Sequence, residues 1–214
     1  MTLSTFLNNN IIEAGVDEAG RGPALGRVYA AAVIWPPGLD TTLVKDSKLI
    51  KKDADMKISY DFVINNAIDY AVAYATEGEI DKCGVGHANM RAMHRAIDKL
   101  KIKPQWLLVD GNYFELYSRK GTDTINHTTV VGGDHKYYSI AAASILAKYS
   151  RDKYIYDLCD EYPELDTRYD IRSNKGYISA PKHKDGIAEH GLCQFHRLSW
   201  KCCKGEIRVI KPSI

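Results

Sequence analysis

The 214-residue sequence predicts an α/β protein, a mixed sheet flanked by helices with a small helical C-terminal part. Three observations carry that expectation. Short apolar, β-branched runs alternate with longer stretches of helical periodicity. The first two apolar runs follow each other closely enough to form a hairpin-like pair, so the sheet is mixed. Several strand-like runs also stop on or just before an acid, the place where open α/β sheets put their ligands.

The elements follow in order. Residues 11–16 read as a strand ending at Asp17. Residues 26–35 (GRVYAAAVIW) are small and β-branched enough for a buried second strand, stopped by Pro36, Pro37 and Gly38. Residues 51–66 suit a helix, and residues 67–76 (AIDYAVAYAT) alternate as a third strand. Met90, Met93, Ile97 and Leu100 fall at helical spacing within 85–100. After Pro104, residues 105–111 (QWLLVDG) give a short strand that ends on Asp110. Residues 124–131 form another, interrupted by Gly132, Gly133 and Asp134. A long helix is expected from 138 to 161, closed by Pro163. Residues 168–179 read as irregular, and 181–190 as a helix ending at Gly191.

Composition narrows the class. Hydrophobic residues make up 45% and charged residues 26% of the chain, enough to bury a sizeable core in one domain over 1–214. No apolar stretch approaches the roughly 18 residues of a membrane span. The first ten residues lack the charged and apolar regions of a signal peptide, so a cytoplasmic protein is expected. The net charge of +2 hides an asymmetry: residues 168–214 hold ten Lys/Arg against four Asp/Glu. That basic subregion suits a polyanionic partner. Five cysteines, Cys83, Cys159, Cys193, Cys202 and Cys203, are odd in number and lack a CxxC, which argues against a disulfide framework. Cys193, His196 and the Cys202–Cys203 pair match no common zinc spacing, so free thiols are expected.

The carboxylates carry the chemistry. Asp17, Asp110 and Asp134 each follow an apolar strand, and Asp17 is joined by Glu18. Acids leaving adjacent strand ends can converge, and a cluster of them cannot stay ionised without cations. Mg²⁺ or Mn²⁺, which prefer oxygen ligands, are the economical answer. Two such ions can support an in-line phosphoryl displacement. Taken singly, each acid more commonly caps a turn or faces solvent. Neighbouring residues of a regular strand point to opposite faces. Asp17 and Glu18 therefore share a site only if the strand breaks at Glu18, or if Glu18 acts through its backbone carbonyl or a water. The glycines around Arg21 suit a phosphate contact. Gly20, Gly22 and Gly26 are spaced G-x-G-x-x-x-G and lead into a strand, which excludes a dinucleotide fingerprint. No GxxxxGK[ST] run is present.

At this point the pattern resembles type 2 ribonuclease H, the ribonuclease HII family. The resemblance rests on residues 15–23 (GVDEAGRGP), 46–48 (DSK), 108–112 (LVDGN), 133–134 (GD), 139–148 (SIAAASILAK) and 151–152 (RD). Residues 175–177 (KGY), 189–191 (EHG) and 196–197 (HR) complete it. It spans the chain from about residue 12 to about residue 200. The short stretch ahead of Asp17 favours type 2 over the related type 3 enzymes, which carry a long N-terminal extension.

The resemblance implies a ribonuclease H-like core and endonucleolytic cleavage of the RNA strand of RNA/DNA hybrids. It extends to duplex DNA with embedded ribonucleotides, cut to leave 5′-phosphate and 3′-hydroxyl ends. It implies Asp17, Glu18, Asp110 and Asp134 as catalytic, metal-binding acids. Asp152 is the alternative for the fourth position, although an ion pair with Arg151 or Lys148 would equally explain it. Gly20, Arg21 and Gly22 would grip the ribonucleotide and read its 2′-OH. Tyr177 would meet the sugar at an RNA-to-DNA junction, with Lys48 and Lys148 as phosphate contacts and Ser144 as a further candidate. A monomer is expected.

The chain departs from the family pattern in three places. No lysine precedes the Gly133–Asp134 pair, leaving Lys136 as the nearby substitute. Gly84 stands where an asparagine is common, and residues 180–183 (APKH) replace a threonine-bearing version. Two competing readings are a different nuclease of the same fold, with no use for the glycine–arginine turn, and a nucleic-acid-binding module without catalysis.

Overall fold

The structure, a computed structural model, describes residues 3–8, 10–118 and 124–213. Six strands form the sheet: β1 (Glu13–Ala19), β2 (Val28–Ile34), β3 (Asp69–Ala75), β4 (Trp106–Asp110), β5 (Tyr117–Ser118) and β6 (Thr124–Val130). Their order is β3-β2-β1-β4-β6-β5. β1 pairs antiparallel with β2 and parallel with β4, and β4 pairs parallel with β6. The expected mixed sheet is therefore present, with its hairpin-like pair at β1–β2. The helices are α1 (Asp53–Asn66), α2 (Glu77–Asp98), α3 (Tyr138–Glu161), α4 (Glu164–Tyr169), α5 (Ile171–Asn174) and α6 (Pro181–His190).

Two expectations are corrected. β1 does not stop at Asp17: it continues through Glu18 to Ala19, because Asp17, Glu18 and Ala19 pair with Ala31, Ala30 and Tyr29 of β2. Residues 168–179 are not irregular throughout, since the end of α4 and all of α5 lie there. These helices are short because Asp170 and Lys175 take left-handed conformations, with φ of 54° and 55°. Each such residue ends a helix before its periodicity becomes visible in sequence.

The chain divides into two compact units. The first comprises Met1–Ala19, Tyr29–Tyr74 and Asn89–Ser150. It holds the sheet, and its core sets Ala31, Val33 and Trp35 of the β2 segment against the alanine-rich face of α3 and against Met56 and Val63 of α1. Gly15 is required here. A Cβ on it would lie 2.2 Å from the Ser139 carbonyl carbon, so α3 crosses β1 almost in backbone contact. Asp53 and Asp55 in the first turn of α1 oppose the helix dipole favourably.

The second unit comprises Gly20–Val28, Ala75–Ala88 and Arg151–Ile214. Its core packs Leu25, Ile155, Leu158, Leu165, Tyr169 and Ile171 together with Cys159 and Cys193. Within α2, Gly84 breaks the helical path at φ 79° and ψ 154°. A side chain in that conformation is strained, so Gly84 stands at a kink.

Candidate active site

In the first unit, the register sets Asp17 and Asp110 on neighbouring strand ends. Among the described residues, however, no three of Asp17, Glu18, Asp110 and Asp134 offer ligand atoms within 4.8 Å of one another. Gly15 pairs with Leu108 and Val16 with Val109. Continuing that parallel ladder by one step sets Asp17 opposite Asp110. Strand alternation then fixes the face. Asp17 shares the side of Gly15, the side crossed by α3, and Asp110 shares the side of Leu108. Glu18, on an unbroken strand, points its side chain to the opposite face. Its backbone, beyond the last β1–β4 pair, is the part left beside Asp17.

Hydrogen bonds hold the acids in place. The Glu18 N–H donates to Asp17 Oδ1 at 2.7 Å, and the Gly133 N–H donates to Asp110 Oδ1 at 2.7 Å. Gly132, in the left-handed region at φ 64°, turns the chain into a 3₁₀ turn Gly133–His135 that carries Asp134. Lys48 Nζ donates to Asp134 Oδ2 at 3.2 Å. Asp46 Oδ1 caps the turn before Lys48 by accepting its N–H at 2.8 Å. Asp46 Oδ2 lies 3.2 Å from His135 Nε2.

The electrostatics ask for positive charge. Asp17 is 4% exposed and Asp134 is 2% exposed. Burial, then repulsion from Glu18 and Asp110, pushes the Asp17 carboxyl well above its ordinary value, against weaker help from the Glu18 N–H and Ser144. Burial also raises Asp110, with Asp134 adding repulsion and Lys48 and the Gly133 N–H opposing it. Neighbouring carboxylates that raise one another's pKa fit a hard divalent cation. Lys48, raised by its attraction to Asp134 despite the opposing effect of burial, supplies one positive charge from within the chain.

The structure places the other expected residues as follows. Ser144 lies on α3 with its hydroxyl 2.9 Å from that of Ser47, and it also hydrogen-bonds Asp17. Lys148 lies one turn further along α3. Lys48 meets Asp134 and remains 75% exposed. Lys136 donates to the Val131 carbonyl at 2.9 Å. Asp152 belongs to the second unit and pairs with Arg151 at 3.5 Å, the ion pair weighed against a metal role. Asp46 and His135 were not singled out from sequence as ligands, yet with Asp134 they offer three ligand atoms within 4.8 Å of one another. Among the described residues no such group includes Cys193, Cys202 or Cys203, and all five cysteines are free thiols.

In the second unit, the glycine–arginine turn is built around a residue that spacing could not reveal. Arg197 is fully buried. Its Nη2 donates to the carbonyls of Gly20 at 2.6 Å and Arg27 at 3.2 Å. Its Nη1 reaches the Arg21 carbonyl at 2.9 Å and its Nε the Gly26 carbonyl at 2.7 Å. In a trans peptide the N–H opposes the C=O. With the Gly20 and Arg21 carbonyls turned to Arg197, the N–H groups of Arg21 and Gly22 point away from it. Both residues are exposed, and the result is an outward pair of amides suited to an anion. Tyr177 is 45% exposed, and its ring rests on bare Gly22: a Cβ there would lie 3.2 Å from Tyr177 Cε1. The Gly176 carbonyl accepts the Ala24 N–H at 2.9 Å and ties the two segments.

Comparison with known proteins identifies the family. The family model described as Ribonuclease HII matches residues 14–203. The chain is 48% identical over 198 residues to a ribonuclease HII of Phocaeicola vulgatus, covering 92% of this chain and 93% of the relative. It is 46% identical over 198 residues to that of Bacteroides thetaiotaomicron, covering 92% and 94%. Among solved structures it is similar to the ribonuclease H2 of Pyrococcus horikoshii, with a TM-score of 0.73 and 27% identity over 89% of this chain and 94% of the other.

Proposed function

The chain belongs to the ribonuclease HII family, and on that premise we propose that it cleaves the RNA strand of RNA/DNA hybrids and of duplex DNA with embedded ribonucleotides. It is a metal-dependent nuclease. The observation that carries the residue assignment is the register that sets Asp17 opposite Asp110 on one sheet face, with Asp134 following the glycine that hydrogen-bonds Asp110.

Asp17, Asp110 and Asp134 would hold Mg²⁺ or Mn²⁺ by their carboxylates, and Glu18 by its backbone. Such ions, when bound, would supply an activated water and neutralise charge on the phosphate; attack with the 3′-oxygen as leaving group would give 5′-phosphate and 3′-hydroxyl ends. The chain's own residues do the rest. Lys48 balances the acids and offers a cation to a backbone phosphate. The outward amides of Arg21 and Gly22 take phosphate or ribose oxygens, and Tyr177 packs against the sugar that bears the 2′-OH. Ser144 fixes the rotamer of Asp17, and Lys148 offers a second phosphate contact. The basic C-terminal subregion adds non-specific attraction to the duplex.

The test is a metal-dependent assay on two duplexes, one all DNA and one with a single ribonucleotide. Cleavage confined to the ribonucleotide duplex, and lost in Asp110→Asn, supports the reading. Equal cutting of the all-DNA duplex would point to another nuclease of this fold. Salt-sensitive binding without cleavage in either metal would point to a binding module.

A further inference from the structure

Two buried histidines in the second unit have no part in the reading above. His183 and His196 are 0% and 1% exposed, with their Nε2 atoms 3.1 Å apart. The Cys193 N–H donates to His196 Nδ1 at 2.9 Å, and the Cys193 sulfur lies 3.1 Å from the same nitrogen. Burial pushes the thiol up to about 11, so the sulfur also brings a proton to Nδ1. That nitrogen therefore accepts. A neutral imidazole has one donor and one acceptor, so the His196 proton sits on Nε2.

The rest of the chain of protons follows. His196 Nε2–H donates to His183 Nε2, which must accept, and the His183 proton is then on Nδ1. That nitrogen is buried and has no hydrogen-bond partner. The Tyr177 backbone acts on the His183 ring to favour its proton, and Nδ1 is the nitrogen left over once Nε2 faces His196. The Tyr177 carbonyl accepts only a long 3.3 Å bond from the Ala180 N–H, and a carbonyl has room for a second donor. The Tyr169 ring lies edge-on to both imidazoles, at 5.1 Å from His196 and 6.1 Å from His183.

We propose that His196 and His183 form a one-way relay of neutral imidazoles that sets the Tyr177 backbone and, through it, the place of the Tyr177 ring over Gly22. Both histidines are positioning residues for ribonucleotide recognition. The inference rests on Tyr177 meeting the substrate. A pair that merely filled the core would tolerate either amide replacement equally.

The experiment has a spectroscopic and a kinetic part. Long-range ¹H–¹⁵N NMR of the full chain should show His196 protonated at Nε2 and His183 at Nδ1; the opposite pattern on either ring overturns the relay. His183→Asn keeps a donor near the Nδ1 position, whereas His183→Gln keeps only the Nε2 side. With melting temperatures as fold controls, His183→Gln should lose about tenfold or more in kcat/KM on the single-ribonucleotide duplex, and His183→Asn much less. Equal losses overturn the relay.

A mutant cycle with Tyr177→Ala completes the test. In the Tyr177→Ala background His183→Gln should cost nothing further. Full additivity, with Tyr177→Ala itself impaired, overturns the relay and leaves the substrate role of Tyr177 intact. A Tyr177→Ala enzyme as active as the parent overturns that substrate role, and the relay with it.

Discussion

Arg197 donates to the carbonyl of Arg21 at 2.9 Å, one arginine holding the backbone of another. The consequence is directional. With that carbonyl turned inward, the Gly22 N–H faces out. Arg197→Lys should therefore act on substrate binding. An ammonium has three donors and no planar fork, so it cannot serve the carbonyls of Gly20, Arg21, Gly26 and Arg27 together. We expect KM for the ribonucleotide duplex to rise more than kcat falls. The stability loss should be about 2–3 kcal/mol for one abandoned charged hydrogen bond. Steady-state kinetics beside urea unfolding would check both, and an unchanged KM would refute the directional argument.

Replacing Asp17 by asparagine should separate activity from stability. The carboxyl is buried and repelled by Glu18 and Asp110, so a neutral isostere removes a charge conflict from the metal-free fold. Cleavage should fall by about a thousandfold or more, equivalent to roughly 4 kcal/mol in the barrier. The melting temperature without metal should hold or rise. A variant that unfolds instead would show Asp17 to be a structural ligand of Ser144.

Metal and pH should be linked through the same group. Asp17 titrates above its ordinary value of 3.8 in the folded chain. Through this group the folded state binds more protons than the unfolded one, so its contribution to stability is greatest at low pH and is lost as pH rises through its raised value. A divalent cation offsets the loss. The rise in melting temperature on adding Mn²⁺ should be larger at pH 8 than at pH 5, and Asp17→Asn should flatten the difference. Thermal melts across that range in chelator and in metal would decide it.

The histidine pair predicts the opposite slope. Burial, reinforced by His183, pushes His196 down to about 3 from 6.5, and burial lowers His183 as well. The unfolded chain binds protons that the folded chain refuses. Stability is therefore present above about pH 6.5 and lost as pH falls toward 3, by at most about 1.4 kcal/mol per pH unit for each histidine. Acid unfolding of Asp17→Asn, which removes one of the two raised carboxyls of opposite slope (Asp110 is the other), should begin below pH 6.5. Its onset should move in His196→Asn.

Gly15→Ala should prevent folding rather than tune it. The added methyl meets the Ser139 backbone, not a movable side-chain end. Gly22→Ala meets the Tyr177 ring at 3.2 Å, where the ring can give. It should fold normally and lose ribonucleotide recognition. Soluble yield and the single-ribonucleotide assay distinguish the two outcomes.

Much of the first unit was legible because strands announce themselves by apolar runs and these runs end in acids. The helix from 138 to 161 coincides with α3 for the same reason: a long periodic segment ended by Pro163. What sequence could not supply was register. Only the pairing of Val16 with Val109 shows that Asp17 and Asp110 share a face. The pleat argument about Glu18 stood, but whether the strand broke there depended on β2 pairing that no local signal encodes. In the sequence Arg197 and His183 announce no role, and His196 suggests only a zinc spacing that fails. Carbonyls gathered by a guanidinium, and imidazoles meeting across 13 positions, leave no periodic trace. The short helices α4 and α5 were missed because left-handed Asp170 and Lys175 cut them below the length at which a pattern forms.

If Asp134 holds a divalent cation as proposed, its contact with Lys48 makes uptake an exchange rather than an addition. A divalent ion arriving at Asp134 meets an ammonium already there, on a side chain 75% exposed and free to swing outward. Its departure returns rotamer freedom that the ion pair had restrained, and it places a positive charge beside the acids at the moment they are occupied. Loading with metal and presenting a lysine to an incoming phosphate then become two views of one movement.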